Sequence, residues 1–195
     1  MKALFDTSSL VSFVRYYYHF DKDKILHHFI EDKTKSGEIL LIDKVLDESK
    51  GIQQGIVHDS LPFLWNNSIC KSIKTTELFA NNHDQFLKDL DNRFLQQGAR
   101  RRLEDDSQYE KFKKEYLENA DCKLIIYGKN YYSDKKKGLF EECEKDLCIV
   151  TEETKYENDG KLFKKIPAIC KELNIPCINI REYLEHYIEI NYLLK

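Results

Sequence analysis

The sequence predicts an α/β fold built on a mostly parallel sheet. Short apolar runs alternate along it with longer stretches whose apolar residues recur at helical spacing. The chain has no internal repeat and no low-complexity tract. With only 7 Gly and 3 Pro in 195 residues it also has no Pro/Gly/Ser-rich hinge, so a single domain over residues 1–195 is expected. That length is enough for a core without disulfide staples.

The elements follow in order. Lys2-Ala3-Leu4-Phe5 reads as a buried first strand that ends in the polar Asp6-Thr7-Ser8-Ser9. Ser8 or Ser9 is expected to cap a helix carrying Leu10, Val11, Phe13, Val14 and Tyr17. A second helix covers Asp23 to Lys35 and stops at Gly37. Glu38 to Ile42 is a second strand, and Asp43 to about Ile52 a helix ended by Gly51 or Gly55. Residues 58–118 are polar and read as a mainly helical extension. Its clearest helix face is Phe86, Leu87, Leu90, Phe94 and Leu95. A helix begins at Asp121, and Leu147 to Val150 is the third strand. Lys165 to Leu173 is amphipathic, with Pro167 tolerated in its first turn. Pro176 to Ile180 forms a last strand and Arg181 to Tyr192 a terminal helix.

Composition excludes several function classes. Charged residues at 33% and hydrophobic residues at 42% exclude a disordered acidic tail, and no apolar stretch has the length of a membrane span. The N-terminal apolar run is broken by Asp6, unlike an export signal, and the six cysteines contain no CxxC pair. Both features predict a reduced, cytoplasmic protein. A formal charge of −3 gives no global sign of nucleic-acid binding. P-loop, GxGxxG and His-Glu-x-x-His patterns are absent, and the histidines, His27-His28 included, match no metal spacing.

Parallel sheets form their sites at the carboxyl ends of the strands. Asp6 follows the first strand, and Glu152 and Glu153 follow the third. Glu48 lies on the helix after the second strand, sharing a face with Val45 and Ile52, where an unpaired carboxylate would be costly. Asp121 opens the helix before the third strand. Each has a purely structural alternative: helix caps for Asp6 and Asp121, a lysine-paired boundary residue for Glu48, and solvated loop acids for Glu152 and Glu153. Acids grouped at one sheet edge suit hard cations such as Mg²⁺ or Mn²⁺, which activate water and stabilise the leaving oxygen of a phosphodiester.

These segments resemble the motifs of PIN-domain nucleases. Ala3-Leu4-Phe5-Asp6-Thr7-Ser8-Ser9-Leu10 is similar to their first motif, and Val45-Leu46-Asp47-Glu48 to their helical motif ending in Glu. Ala120-Asp121-Cys122-Lys123-Leu124-Ile125-Ile126 resembles their Asp-bearing helix start. Ile149-Val150-Thr151-Glu152-Glu153 resembles their strand-end Val-Thr-x-Asp, with Glu153 in place of the final Asp. The tail from Lys165 to Asn179 is similar to a branch related to VapC-type toxins. The resemblance implies a three-layer α/β/α PIN-like fold and Mg²⁺- or Mn²⁺-dependent endoribonuclease activity. It further implies the toxin of a toxin–antitoxin pair, with an antitoxin protein and a homodimer as partners. Asp6, Glu48, Asp121 and Glu153 would be the catalytic, metal-binding acids, and Ser8, Thr151 and Glu152 would support them. The longer stretch between Asp121 and Leu147 and the larger 58–118 region depart from the family pattern.

Arg100-Arg101-Arg102 and Lys135-Lys136-Lys137 are the densest basic runs and the candidate RNA contacts, with Tyr131 and Tyr132 near enough in sequence to stack on unpaired bases. Their bland alternative is a solvated charged surface. Two competing functions stand beside the nuclease. One is a non-catalytic PIN-like scaffold that binds RNA or protein, against which the complete acid set argues. The other is a haloacid-dehalogenase-type phosphotransferase, which wants a second Asp where this chain has Ser8.

Overall fold

The apolar runs become parallel strands in the computed structural model, which describes residues 1–135, 145–154 and 160–186. In chain order the elements are β1 (Lys2–Phe5), α1 (Thr7–Tyr16), α2 (Ile25–Lys35), β2 (Ile39–Leu40), α3 (Asp43–Gly51), α4 (Ile56–Ser60), α5 (His83–Asp89), α6 (Gln97–Arg100), α7 (Asp106–Glu118), α8 (Ala120–Lys135), β3 (Leu147–Val150), α9 (Ile166–Leu173), β4 (Cys177–Ile178) and α10 (Ile180–Glu185). They fall into two compact units. One takes Met1–Thr75, Lys145–Glu152 and the chain from Pro176. The other takes Thr76–Glu144 and Glu153–Ile175.

The first unit carries the sheet, in the order β2-β1-β3-β4, with every neighbouring pair parallel. Successive residues of a strand face opposite sides. Ala3, Leu4 and Phe5 of β1 and all four residues of β3 are nonetheless fully buried, so both faces are covered. Such burial explains why these strands read as unbroken apolar runs instead of alternating ones, and it agrees with a three-layer α/β/α arrangement. Tyr183 of α10 meets the Phe5 ring edge-on at 5.0 Å. The helices α1, α3 and α4 pack on one another.

The sequence reading shifts in several places here; the last strand, expected over Pro176 to Ile180, shrinks to Cys177–Ile178, and α10 begins at Ile180. Asp6, not Ser8 or Ser9, caps α1. Its Oδ1 accepts from the Thr7 N–H at 2.6 Å, and Ser9 instead donates to the Asp6 carbonyl at 2.7 Å. The second strand shrinks to Ile39–Leu40. Beyond it Ile42 bridges Ile73, and Asp43 anchors the returning chain by accepting from the N–H and hydroxyl of Thr75. The buried stripe of α3 is Val45, Leu46 and Ser49, whose hydroxyl bonds back to the Val45 carbonyl. Glu48 lies beside that stripe and is exposed, so the desolvation cost expected for it does not arise.

The second unit is helical. The face expected to run from Phe86 to Leu95 breaks: α5 ends at Asp89, Leu90–Phe94 forms a π turn, and Leu95 leaves the helix to bridge Phe163. Two backbone bonds hold that bridge, Gln96 N–H to Leu162 and Lys164 N–H to Phe94, each at 2.8 Å. Asn119 separates α7 from α8, and its side chain accepts from the Cys122 N–H at 2.9 Å. That bond assigns the capping role to Asn119 and leaves Asp121 in the first turn, at the second residue of α8. Cys122, Leu124, Ile125 and Ile126 of α8 are all buried. The cysteines at 70, 122, 148 and 170 are buried and unbridged, as expected of core thiols. Burial pushes the Cys70 thiol up to about 11 and the Cys148 thiol up to about 12. Among the described residues no helix is long and apolar enough to cross a membrane.

Candidate functional site

The first pair of acids belongs to the sheet unit. The register pairs Phe5 with Val150, so the next residues, Asp6 and Thr151, emerge side by side from β1 and β3. Asp6 is 5% exposed and Thr151 3%. The Thr151 hydroxyl donates to Asp6 Oδ2 at 2.9 Å and the Ser8 hydroxyl donates to the same oxygen at 2.6 Å. The two hydroxyls lie 3.2 Å apart, and the Glu152 N–H donates to Ser8 Oγ at 3.0 Å. Each hydroxyl has one proton and points it at Asp6. The carboxylate is therefore held in one orientation by donors from the first turn of α1 and the end of β3. Thr7 connects it to the second acid: its hydroxyl donates to Glu48 Oε2 at 2.8 Å.

Glu152 follows β3 but turns its carboxylate away, accepting from the Ile180 N–H at the start of α10 at 2.8 Å. That fixes α10, whose own cap is the reciprocal Asn179–Glu182 box. Tyr17, half-buried, has its pKa raised by burial and by the charge of Glu152.

The second pair belongs to the helical unit. Glu153 Oε2 accepts from the Ile166 N–H at the first residue of α9 at 3.0 Å, a position that also favours negative charge. Its other oxygen accepts from Lys161 Nζ at 3.1 Å, and the same ammonium lies 4.0 Å from Asp121 Oδ2. Asp121 and Glu153 thus share one cation. Nearby, the Tyr116 hydroxyl is buried and makes no hydrogen bond among the described residues. Burial first, then the charges of Cys122, Asp121 and Glu153, raise its pKa well above the ordinary value, so it remains a proton donor. A cavity of about 320 Å³ opens here, lined by Phe112, Tyr116, Asn119, Asp121, Lys161 and Phe163 among others. Tyr116 and Phe163 stack in its wall at 4.4 Å.

The basic runs divide. Arg100 pairs with Asp106 and lies over the Tyr109 ring at 4.6 Å, so it is committed to packing. Arg101 and Arg102 are exposed. Lys135 lies 4.8 Å over the Tyr131 ring, and Lys136 and Lys137 fall outside the described residues. Thr7, Tyr116 and Lys161 are site residues that sequence reasoning did not single out. Thr7 sits inside the Asp-Thr-Ser run and carried a usable signal, whereas Lys161 is one lysine among many in a patternless stretch.

Oxygen donors alone make up both acid pairs, the chemistry that Mg²⁺ and Mn²⁺ prefer. The Lys161 ammonium between Asp121 and Glu153 is an observation of the same kind, since these carboxylates already gather a positive charge. A family model described as a domain of unknown function (DUF4411) matches residues 4–189. No curated protein and no solved structure matches the chain.

Proposed function

We propose that this chain, which belongs to the DUF4411 family, is a divalent-metal-dependent endoribonuclease that hydrolyses RNA phosphodiesters as the toxin of a toxin–antitoxin pair. The observation that carries the reading is the treatment of Asp6: a buried carboxylate at the carboxyl end of a central strand, aimed by two hydroxyls. A carboxylate serving only as a helix cap does not need Ser8 and Thr151 converging on its second oxygen. The resemblance to PIN-domain nucleases supports the same assignment, because it falls on Asp6, Glu48, Asp121 and Glu153 and on the supporting Ser8 and Thr151.

On this reading Asp6 and Glu48 are the ion-holding acids of the sheet unit, and Asp121 and Glu153 those of the helical unit. When bound, Mg²⁺ or Mn²⁺ supplies water activation and charge neutralisation at the leaving oxygen. The chain's own residues do the rest. Ser8 and Thr151 fix the Asp6 carboxylate, Thr7 fixes Glu48, and the α9 N-terminus fixes Glu153. Lys161 offsets part of the charge of Asp121 and Glu153 in the free protein and can turn to a phosphate when substrate arrives. The cavity beside Asp121, with its aromatic wall and lysine, suits an unpaired nucleotide. Arg101 and Arg102 remain the exposed candidates for phosphate contacts.

The test is cleavage of a mixed pool of structured RNAs by purified protein in Mg²⁺, in Mn²⁺ and in EDTA, beside Asp6→Asn. Cleavage that requires metal and disappears in the variant is the expected result. A folded, partner-free protein that cuts in neither metal would replace this reading with the non-catalytic RNA- or protein-binding scaffold.

A further inference from the structure

Away from these acids, α2 presents a second group of ligating side chains. His27, His28 and Glu31 each offer one ligand atom, and the three atoms lie within 4.8 Å of one another. His27 Nδ1 is 4.0 Å from Glu31 Oε2 and His28 Nδ1 is 3.7 Å from it. We infer that His27, His28 and Glu31 form a binding site for a borderline-soft divalent ion of the Zn²⁺ class, chemically distinct from the oxygen-only sites proposed for Mg²⁺ or Mn²⁺.

The helix explains the grouping. Glu31 stands one turn beyond both histidines, at i+4 from His27 and i+3 from His28, so its carboxylate lies over both rings. The His27 ring is preorganised. It meets Phe63 edge-on at 5.2 Å and His28 at 5.4 Å, and the Tyr18 ring lies 6.0 Å away. The start of α2 is tied down as well, since Asp21 accepts from the His27 N–H at 2.8 Å.

The second observation is an unsatisfied atom. His27 Nδ1 is buried and makes no hydrogen bond among the described residues. A buried ring nitrogen without a partner is unusual and asks for a ligand. The other two residues keep the site open to solvent, because the His28 side chain is 64% exposed and that of Glu31 28%.

Ligand type selects the ion. Two imidazoles and one carboxylate suit Zn²⁺, Ni²⁺ or Co²⁺ and are poor for Mg²⁺. Two histidines and a glutamate leave the fourth position of a tetrahedral Zn²⁺ to water. Bonds of about 2.0–2.2 Å set neighbouring ligand atoms about 3.3 Å apart. The two nitrogen–oxygen separations must therefore shorten by less than about 1 Å, and the nitrogen–nitrogen separation, at most 4.8 Å, by up to about 1.5 Å.

The test is a Zn²⁺ titration of EDTA-stripped full-length protein against a chromogenic chelator, for the natural chain, His28→Ala, Glu31→Gln and Asp6→Asn. Loss of a residue behind a metal ligand typically lowers affinity about 10–100-fold, so loss of a ligand itself should cost at least that. Expected are one tightly held Zn²⁺ per chain, a weakening of at least that size in His28→Ala and Glu31→Gln, and unchanged affinity in Asp6→Asn. The natural chain should also melt at higher temperature with Zn²⁺, a shift His28→Ala loses. Because His28 is exposed, its substitution leaves the fold intact. Failure of the natural chain to take up an equivalent of Zn²⁺, or uptake by His28→Ala with undiminished affinity, would overturn the site without touching the nuclease reading.

Discussion

Ser8 and Thr151 spend their only protons on Asp6 Oδ2, so their effect should appear in whatever Asp6 does. Ser8→Ala and Thr151→Val are expected to weaken Mn²⁺ binding by about 10–100-fold while leaving the fold intact, as read by titration alongside circular dichroism. Asp6 also caps α1, and a lost cap costs about 1 kcal/mol. Asp6→Ala, which removes the cap, should therefore lower stability by roughly that amount in urea, where a purely repulsive acid cluster would have given a gain. Cys70 and Cys148 offer a check on burial. With thiols raised to about 11 and about 12, they should resist alkylation at pH 8 until the chain unfolds. At this scale the sequence singled out the acids at the strand ends and helix starts but not how each is held. Asp6 was legible because an apolar strand runs straight into it. The partnership of Thr7 with Glu48 was not, because it joins residues 41 positions apart.

Among elements, β1 and β3 were the most legible. Strands buried on both faces leave unbroken apolar runs, and Lys2–Phe5 and Leu147–Val150 are found at the boundaries the sequence indicates. Phe5, fully buried against Tyr183, is the strut of one face, and Phe5→Ala should cost about 3–5 kcal/mol by urea unfolding. Helix faces were read less well. Helical spacing places Glu48 near Val45, but only the neighbours of α3 decide that Ser49 is buried and Glu48 exposed. The π turn at Leu90–Phe94 was illegible, because it ends where Leu95 leaves the helix to bridge Phe163, a residue far along the chain. At the start of α3, burial opposes the charge on Asp43, but bonds from Thr75 and Lys44 and the charge of Lys74 outweigh it and lower its pKa. A carboxyl lowered in the folded state adds stability above its unfolded value of about 3.9 and loses it as pH falls through the folded value. Asp43→Asn should thus reduce the melting temperature at pH 7 and have a diminishing effect below pH 4.

Across the molecule, the acids come as two differently built pairs, one in each compact unit. Asp6 and Glu48 are joined through Thr7, whose N–H donates to the first and whose hydroxyl donates to the second, and Asp121 and Glu153 by a lysine of the helical unit. The −3 overall charge concealed this arrangement, since Lys161 acts locally and global balance reports nothing about it. Likewise the basic runs looked equivalent in sequence, yet Arg100 is consumed by Asp106 and Tyr109 while Arg101 and Arg102 face solvent. Adjacent like charges carry no mark of which one packs. The claim on which the rest depends is that these carboxylates hold a divalent ion. It is tested most directly by titrating Mn²⁺ into metal-free protein and following the free ion by electron paramagnetic resonance, for the natural chain, Asp6→Asn and Asp121→Asn. Stoichiometric binding that weakens in both folded variants is the expected outcome. Binding that neither substitution alters, or no binding by the natural chain, would contradict it.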